Sequence, residues 1–195
     1  MPTPTTPGPR LVRELPLRDG RTLRIRHAVP DDAPAMLEFF RHTGGESDFV
    51  TFGAEGLPRT VEQERAVIEY LTTADNGLSI VAVDGDRIVG SMRFEPGSRP
   101  RTRHGGEFGI AVLAEYNGHG VGRALLQCLI EWAEGTGIIR KLDLRVRADN
   151  VRAIRLYESL GWTVEGRITR DMLMPDGTFH DALYMGRFVD PPAGP

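Results

Sequence analysis

A mixed α/β fold around one sheet is the architecture this sequence predicts, and three observations predict it. Short runs with apolar residues at every second position alternate with longer runs in which they recur every three or four. A central hairpin, Leu78 to Val83 and Arg87 to Phe94, brackets the strong turn signal Asp84-Gly85-Asp86. Read in order, the elements run β-α-α-β-β-β-α-β-α-β-β, a central mixed sheet flanked by about four helices.

The elements follow along the chain. Arg21 to His27 reads as a strand with Leu23 and Ile25 on one face. Asp31 and Asp32 offer an N-cap, and Met36, Leu37, Phe39 and Phe40 form the apolar stripe of the helix behind them. A glycine-containing loop, His42 to Pro58, comes next. Thr60 and Gln63 have capping-box spacing ahead of a helix through Val67, Ile68 and Leu71. Beyond the central hairpin, Phe108 to Leu113 is an apolar strand. Val121 to Glu134 is a helix with Val121, Leu125, Cys128 and Trp132 on one seam. Leu142, Leu144 and Val146 alternate with Asp143, Arg145 and Arg147, a strand of period two. Asn150 to Leu160 is helical and stops at Gly161. Trp162 to Met174 and Asp181 to Phe188 are strands joined across Pro175-Asp176-Gly177. Residues 1–10, rich in Pro and Thr, read as a disordered tail and 191–195 as a frayed end, leaving 11–190 as a single domain.

Composition narrows the class. The 195 residues are 40% hydrophobic and 26% charged, ordinary for a soluble globular chain, with a net charge of −3 that argues against a nucleic-acid binder. One cysteine, Cys128, rules out an internal disulfide framework and a cysteine-based zinc site, and no metal is expected. The start of the chain lacks the basic residues and apolar core of a secretory signal, and no apolar run approaches the roughly 20 residues of a membrane helix. A cytoplasmic protein without membrane contact is the expectation.

The sharpest local signal is Asn117-Gly118-His119-Gly120-Val121-Gly122-Arg123, after an apolar strand and at the start of a helix. Glycines let a ligand approach the backbone, and the unpaired N–H groups of a helix start favour phosphate oxygens. No Lys-Ser or Lys-Thr follows, so this is not a Walker A loop, and G-x-G-x-G is not the dinucleotide spacing G-x-G-x-x-G. A glycine-rich turn without a ligand stands beside the phosphate reading.

A second segment is Ala148-Asp149-Asn150, Ala153-Ile154, Leu156-Tyr157-Glu158 and Leu160-Gly161-Trp162. The two segments together resemble the GNAT acetyltransferase superfamily. Gly120 and Gly122 match its Gln/Arg-x-x-Gly-x-Gly/Ala pyrophosphate motif, while Asn117 stands where that family has Gln or Arg. The resemblance implies the GNAT-like acyl-CoA N-acyltransferase fold. It also implies acetyl-CoA as cosubstrate and acetyl transfer to a primary amine by direct attack in a ternary complex. The strand Ile110, Ala111, Val112 and Leu113 would pair with the pantetheine arm. The loop Asn117, Gly118, His119, Gly120, Val121, Gly122, Arg123 and Ala124 would hold the pyrophosphate, with N–H groups from Gly118, Gly120, Gly122, Arg123 and Ala124. Asn150 would contact the CoA arm, Tyr157 would serve the departing thiolate, and Glu107 stands where several members carry a catalytic base. A GNAT-fold protein that holds CoA as a sensor, without transfer, is the alternative.

Each residue also has a plain structural role. Asn150 suits a helix cap, Tyr157 a core position, Glu107 a solvated strand end and His119 a loop. Cys128 falls on an apolar seam, which argues against an acetyl-cysteine intermediate. The stretch 31–64 carries Asp31, Asp32, Glu38, Glu46, Asp48, Glu55, Glu62 and Glu64 against Arg41 and Arg59. In the GNAT fold it would border the acceptor as an acidic rim for a cationic amine, or be a solvated helix surface. Arg99-Pro100-Arg101-Thr102-Arg103 reads as a hairpin tip. The resemblance is nearest to bacterial amino-acid, N-terminal and polyamine N-acetyltransferases, many of them homodimers.

Overall fold

The computed structural model describes residues 10–189, so the expected tails lie outside the described residues except for Arg10. The elements are β1 (Leu11–Pro16), β2 (Thr22–His27), α1 (Ala33–Glu46), α2 (Val61–Thr73), β3 (Leu78–Asp84), β4 (Arg87–Pro96) and β5 (Gly105–Val112). Then follow α3 (Val121–Thr136), β6 (Lys141–Arg147), α4 (Val151–Glu158), β7 (Thr163–Leu173) and β8 (Phe179–Phe188). The strands form one sheet in the order β1-β2-β3-β4-β5-β6-β8-β7. Adjacent strands are antiparallel except β5 and β6, whose parallel pairing needs the α3 crossover between them.

Strand alternation assigns the helices to opposite faces. On β4, Gly90 lies against Val121 and Leu125 of α3, and Phe94 stacks on Trp132 of α3 at 5.4 Å. The intervening Arg93 reaches the other face, where it meets Glu64 of α2 and the Phe40 ring of α1. On β5, Phe108 follows the α3 side and packs edge-on against Tyr157 of α4 and against Trp162. Glu107, Gly109 and Ala111 therefore face the α1–α2 side.

One irregularity of the ladder governs the site. β5 and β6 pair only at Gly105–Lys141, Gly106–Leu142 and Glu107–Asp143. Beyond that point β5 stays bonded to β4 through Val112, and β6 to β8 through Arg147. The two strands diverge, and from Phe108 onward the free edge of β5 has no strand partner among the described residues.

Most expected elements are present, with three differences. β1 was not expected, because Leu-Val-Arg-Glu-Leu-Pro does not alternate cleanly. It is held by β2 and by Arg13, which bonds Gln127 and Glu131 of α3 at 3.0 and 2.5 Å. The helix expected to give way to a loop at His42 continues to Glu46, through Gly44 and Gly45. A Cβ at Gly44 would lie 2.0 Å from the Gly53 carbonyl oxygen, so that glycine serves a close chain approach. The helix cap expected from Asp31 and Asp32 is replaced by a 3-10 turn, Pro30–Asp32. The Asp32 carboxylate turns back to the Val29 N–H and to both ends of the Arg26 guanidinium at 2.7 Å. On β6, Asp143 and Arg147 of the polar face are buried. The Thr60–Gln63 capping box at α2 is present in both directions.

Candidate active site

A cleft of about 1850 Å³ opens where β5 and β6 part, lined by the glycine loop, the start of α4, the end of α1 and the chain after it. Ile110, Ala111 and Val112 form one wall. Leu113 does not: it is buried and its N–H is bonded to the Val89 carbonyl at 3.0 Å.

The glycine loop has the backbone its sequence needs. Gly118 and Gly120 lie at φ +83° and +84°, in the left-handed region that side chains rarely adopt. Gly120 is the N-cap of α3 and offers no side-chain cap. Among the described residues the N–H groups of Gly118, Gly120, Val121, Gly122 and Arg123 have no hydrogen-bond acceptor. Three other N–H groups of the loop are engaged within the chain, and of these Ala124 was expected to hold the pyrophosphate. Ala124 donates to Gly120 at 2.9 Å, Asn117 to Ala114 at 3.0 Å and His119 to Tyr116 at 3.4 Å. The Ala124 assignment is thus corrected by α3 itself, whose fourth residue already closes a helical turn. The His119 ring folds onto the Asn117 carbonyl at 3.2 Å. Arg123 reaches Ser159 at 2.8 Å beside the cleft.

On α4, Asn150 caps the helix by accepting the Ala153 N–H at 3.2 Å, and it lines the cleft. Tyr157 sits one helical face further in. Its ring is locked among Phe108 at 6.0 Å and Trp162 at 6.2 Å, and Trp162 is tied by its indole N–H to Leu142 at 3.0 Å. The Tyr157 hydroxyl has no protein hydrogen-bond partner among the described residues, and the residue borders the cleft. Burial pushes its phenol up to about 12.

Glu107 is on the same cleft but on the opposite face of the sheet from Tyr157. Its Oε1 accepts from Nε of Arg145 at 3.0 Å, which also raises the guanidinium above its usual range. Glu95 of β4 and Asp143 of β6 are its direct cross-strand partners, so three carboxylates form a row. Arg145 answers Glu107, and Lys141 lies 3.0 Å from Asp143 while donating its hydrogen bond to Glu165 at 2.7 Å.

The acidic rim expected over 31–64 does not form at the cleft. Of its members only Glu46 lines it, accepting the Ala114 N–H at 2.9 Å. Asp31 pairs with Arg65 and Asp32 with Arg26, while Glu64 is fully buried beside Arg93. The negative surface comes instead from Glu95, Glu107 and Asp143. Glu95 and Asp143 were missed because their alignment depends on register across three strands. Arg93 was missed as well, hidden in an otherwise apolar strand. The Arg99–Arg103 run is a turn between β4 and β5, anchored by Arg103 on Asp75 at 2.6 Å. Among the described residues no cluster of three His, Cys, Asp or Glu could hold a metal ion, and no helix is long and apolar enough to cross a membrane.

A strand pair splayed beside a glycine-capped helix defines a ligand-binding α/β class, and comparison with known proteins defines the family. Residues 46–162 match the model of the acetyltransferase (GNAT) family, and the chain belongs to that family. An L-amino acid N-acetyltransferase of Escherichia coli is 32% identical over 108 residues, covering 55% of this chain and 65% of that protein. A ribosomal-protein alanine N-acetyltransferase of the same species is 45% identical over 78 residues, 40% of this chain and 51% of that protein. The matched stretches thus span between half and two thirds of these relatives. An acetyltransferase of GNAT family from Streptococcus pneumoniae superposes with a TM-score of 0.82 at 31% identity, covering 86% of this chain and 99% of that one. A phosphinothricin acetyltransferase from Sinorhizobium meliloti, solved in complex with acetyl-CoA, shares the fold. Its TM-score is 0.76 at 21% identity, with 89% and 92% of the chains covered.

Proposed function

We propose that this chain transfers the acetyl group of acetyl-CoA to a primary amine by direct attack within a ternary complex. The observation that carries the reading is the continuous path along the cleft. It runs from five free N–H groups at the start of α3, past the unpaired edge of β5, to the Tyr157 hydroxyl. Each part suits one part of acetyl-CoA. Helix-start N–H groups suit a pyrophosphate, and a free strand edge suits an amide-bearing arm laid alongside it. The acetyl-CoA complex of the Sinorhizobium relative supports the same cosubstrate.

The chemistry then divides between the two faces of the sheet. An ammonium acceptor, which in water gives up its proton only near pH 10 (roughly, as a lysine does), must be deprotonated before its lone pair can attack. Glu107 has Oε2 free of protein partners and takes that proton, directly or through a water. As the N–C bond forms and the C–S bond breaks, the electron pair stays on sulfur, and the second amine proton, made acidic by acylation of the nitrogen, passes through solvent to the departing thiolate. Tyr157 is neutral throughout the working pH range, because burial holds its phenol at about 12. A thiol titrates near about 8.5, so the phenol stabilises the thiolate by donating a hydrogen bond and not by complete proton transfer. Cys128 takes no part: it is buried on α3, and burial pushes its thiol up.

The test is CoA release from acetyl-CoA, read with a thiol dye that buried Cys128 does not consume, and acetylated product read by mass spectrometry. The acceptors are polyamines, amino acids, aminoglycosides and short peptides. Acceptor-dependent release with an N-acetyl product is expected. Acetyl-CoA binding without product on any amine would overturn transfer in favour of a CoA-binding sensor.

A further inference from the structure

The acceptor end of the cleft carries two opposed charges, and the positive one is built into the sheet. Arg93 projects from β4 toward α1 and α2, with its side chain only 8% exposed. Its Nη2 donates to Glu64, which is fully buried on α2, and its guanidinium lies 5.1 Å over the Phe40 ring. Its Nε has no hydrogen-bond partner. Arg59 approaches the second oxygen of Glu64 at 3.5 Å, and both arginines line the cleft. Two guanidinium groups around one carboxylate leave a surplus of positive charge.

The negative end lies on the neighbouring strand. Gly109 is directly across from Arg93, and a Cβ there would meet no atom within 4 Å. That glycine leaves an open floor. Two residues back, on the same face, stands Glu107 with Glu95 and Asp143 on either side, and the two cations that meet this row, Arg145 and Lys141, are shared with Asp171 and Glu165. Diagonal neighbours on one face have backbones about 7–8 Å apart, so the two charges border one short stretch of the cleft, on the scale of a small acceptor that carries both an amine and a carboxylate.

We propose that the acceptor is a free α-amino acid, its carboxylate held at Arg93 and Arg59 and its amine turned toward Glu107. The inference rests on the acetyl-transfer reading and assigns the acceptor class within it. A polyamine would put a second cation against the arginines. A peptide N-terminus would put a neutral amide there. Glu64 is a positioning residue: it fixes the Arg93 guanidinium at the wall of the cleft, while Arg59 beside it presents the more exposed guanidinium to the acceptor.

The experiment compares matched sets of acceptors: leucine, methionine and phenylalanine, each with its amide and its decarboxylated amine, beside spermidine and an alanyl peptide. Two quantities are read, kcat/KM for acetyl transfer and calorimetric binding of each acceptor to the protein loaded with CoA. The amino acid is expected to exceed its amide and its amine by about 10- to 100-fold in both, the range of a charge-assisted hydrogen bond. Arg93→Gln strips the partner from buried Glu64 and risks unfolding. Arg59→Gln, at a side chain 34% exposed, therefore carries the test. It should lower kcat/KM on the amino acid about 10-fold while leaving the matched amine and the KM for acetyl-CoA unchanged. Equal use of acid, amide and amine, a preference for spermidine or the peptide, or an Arg59→Gln effect shared by all acceptors would overturn the proposal with acetyl transfer intact. Selective binding of the amino acid to the CoA-loaded protein without turnover would uphold the carboxylate site and overturn acetyl transfer. Neither binding nor turnover would overturn both.

Discussion

Tyr157→Phe isolates one hydroxyl. The ring stays wedged between Phe108 and Trp162, so the aromatic packing is unchanged. No protein hydrogen bond is lost, because the hydroxyl makes none among the described residues. Leaving a hydroxyl unpaired in a largely apolar site costs about 1–3 kcal/mol, and its opening onto the cleft reduces that cost. The variant should therefore be as stable as the wild type or more so by up to about 1 kcal/mol. Activity should move the other way. A hydrogen bond to a charged partner contributes about 1.5–3 kcal/mol, which corresponds to a fall in kcat of roughly 10- to 150-fold. The KM for acetyl-CoA should hold, since the thiolate exists only as the bond breaks. With the phenol at about 12, the wild-type kcat should show no limb from Tyr157 below about pH 10. The assay is steady-state CoA release on the preferred amine across pH, alongside thermal melts of both proteins. A variant within twofold of wild-type kcat would remove Tyr157 from the mechanism. A variant that loses several degrees of Tm along with its rate would make Tyr157 a packing residue.

Three further outcomes follow from the structure. Gly120→Ala places a side chain at φ +84° with no external clash, so the cost is left-handed strain of about 1–2 kcal/mol, partly offset in the unfolded chain; melts should show a loss of about 2–4 °C, and the KM for acetyl-CoA should rise with kcat little changed. Glu64→Gln leaves the Arg93 guanidinium buried without a counter-charge and should lower urea-extrapolated stability by about 3–5 kcal/mol, whereas Glu64→Leu combined with Arg93→Met should recover most of it. His27 is half-buried, and burial lowers its pKa first, helped by Arg10; the unfolded chain then binds the proton more readily, so stability is full above about pH 6.5 and falls as pH drops through the folded value, a slope that His27→Gln should flatten in melts from pH 8 to 5.

The elements legible in the sequence were those with their own local signals. Asp84-Gly85-Asp86 marks the β3–β4 turn, Thr60 and Gln63 mark the start of α2, and Gly161 at φ +93° marks the end of α4. The glycine loop was legible too, because positive φ at Gly118 and Gly120 restricts residue choice. What failed was non-local. Gly44 reads as part of a loop until Gly53 is seen against it, and β1 is not readable until Arg13 is seen bonded to α3. Acidic residues in 31–64 read as a rim, yet their partners Arg26, Arg65 and Arg93 are supplied by other segments. The Glu95–Glu107–Asp143 row exists only through register between β4, β5 and β6. Sequence spacing reports turns and caps directly, while cross-strand charge depends on a topology that no single segment encodes.

The buried Arg93–Glu64 pair is the place where stability and recognition part company. Removing two such charges from water costs several kcal/mol per ion, and an apolar pair of similar volume often leaves a protein equally or more stable. The strand around Arg93 shows that the alternative is available: Met92 and Phe94 on either side are fully buried and apolar. Had the wall of the cleft needed only packing, another apolar residue at position 93 would have met it at lower cost. The pair supplies something an apolar residue lacks, a cation fixed in place at the wall of the cleft by a helix on one side and a strand on the other. Its orientation is settled before any acceptor arrives, so little conformational entropy is lost on binding. The same logic applies across the sheet, where Arg145 holds Glu107 and Lys141, bonded to Glu165, lies beside Asp143. Each of these charges at the edge of the cleft is held by a partner from another element, which fixes its orientation.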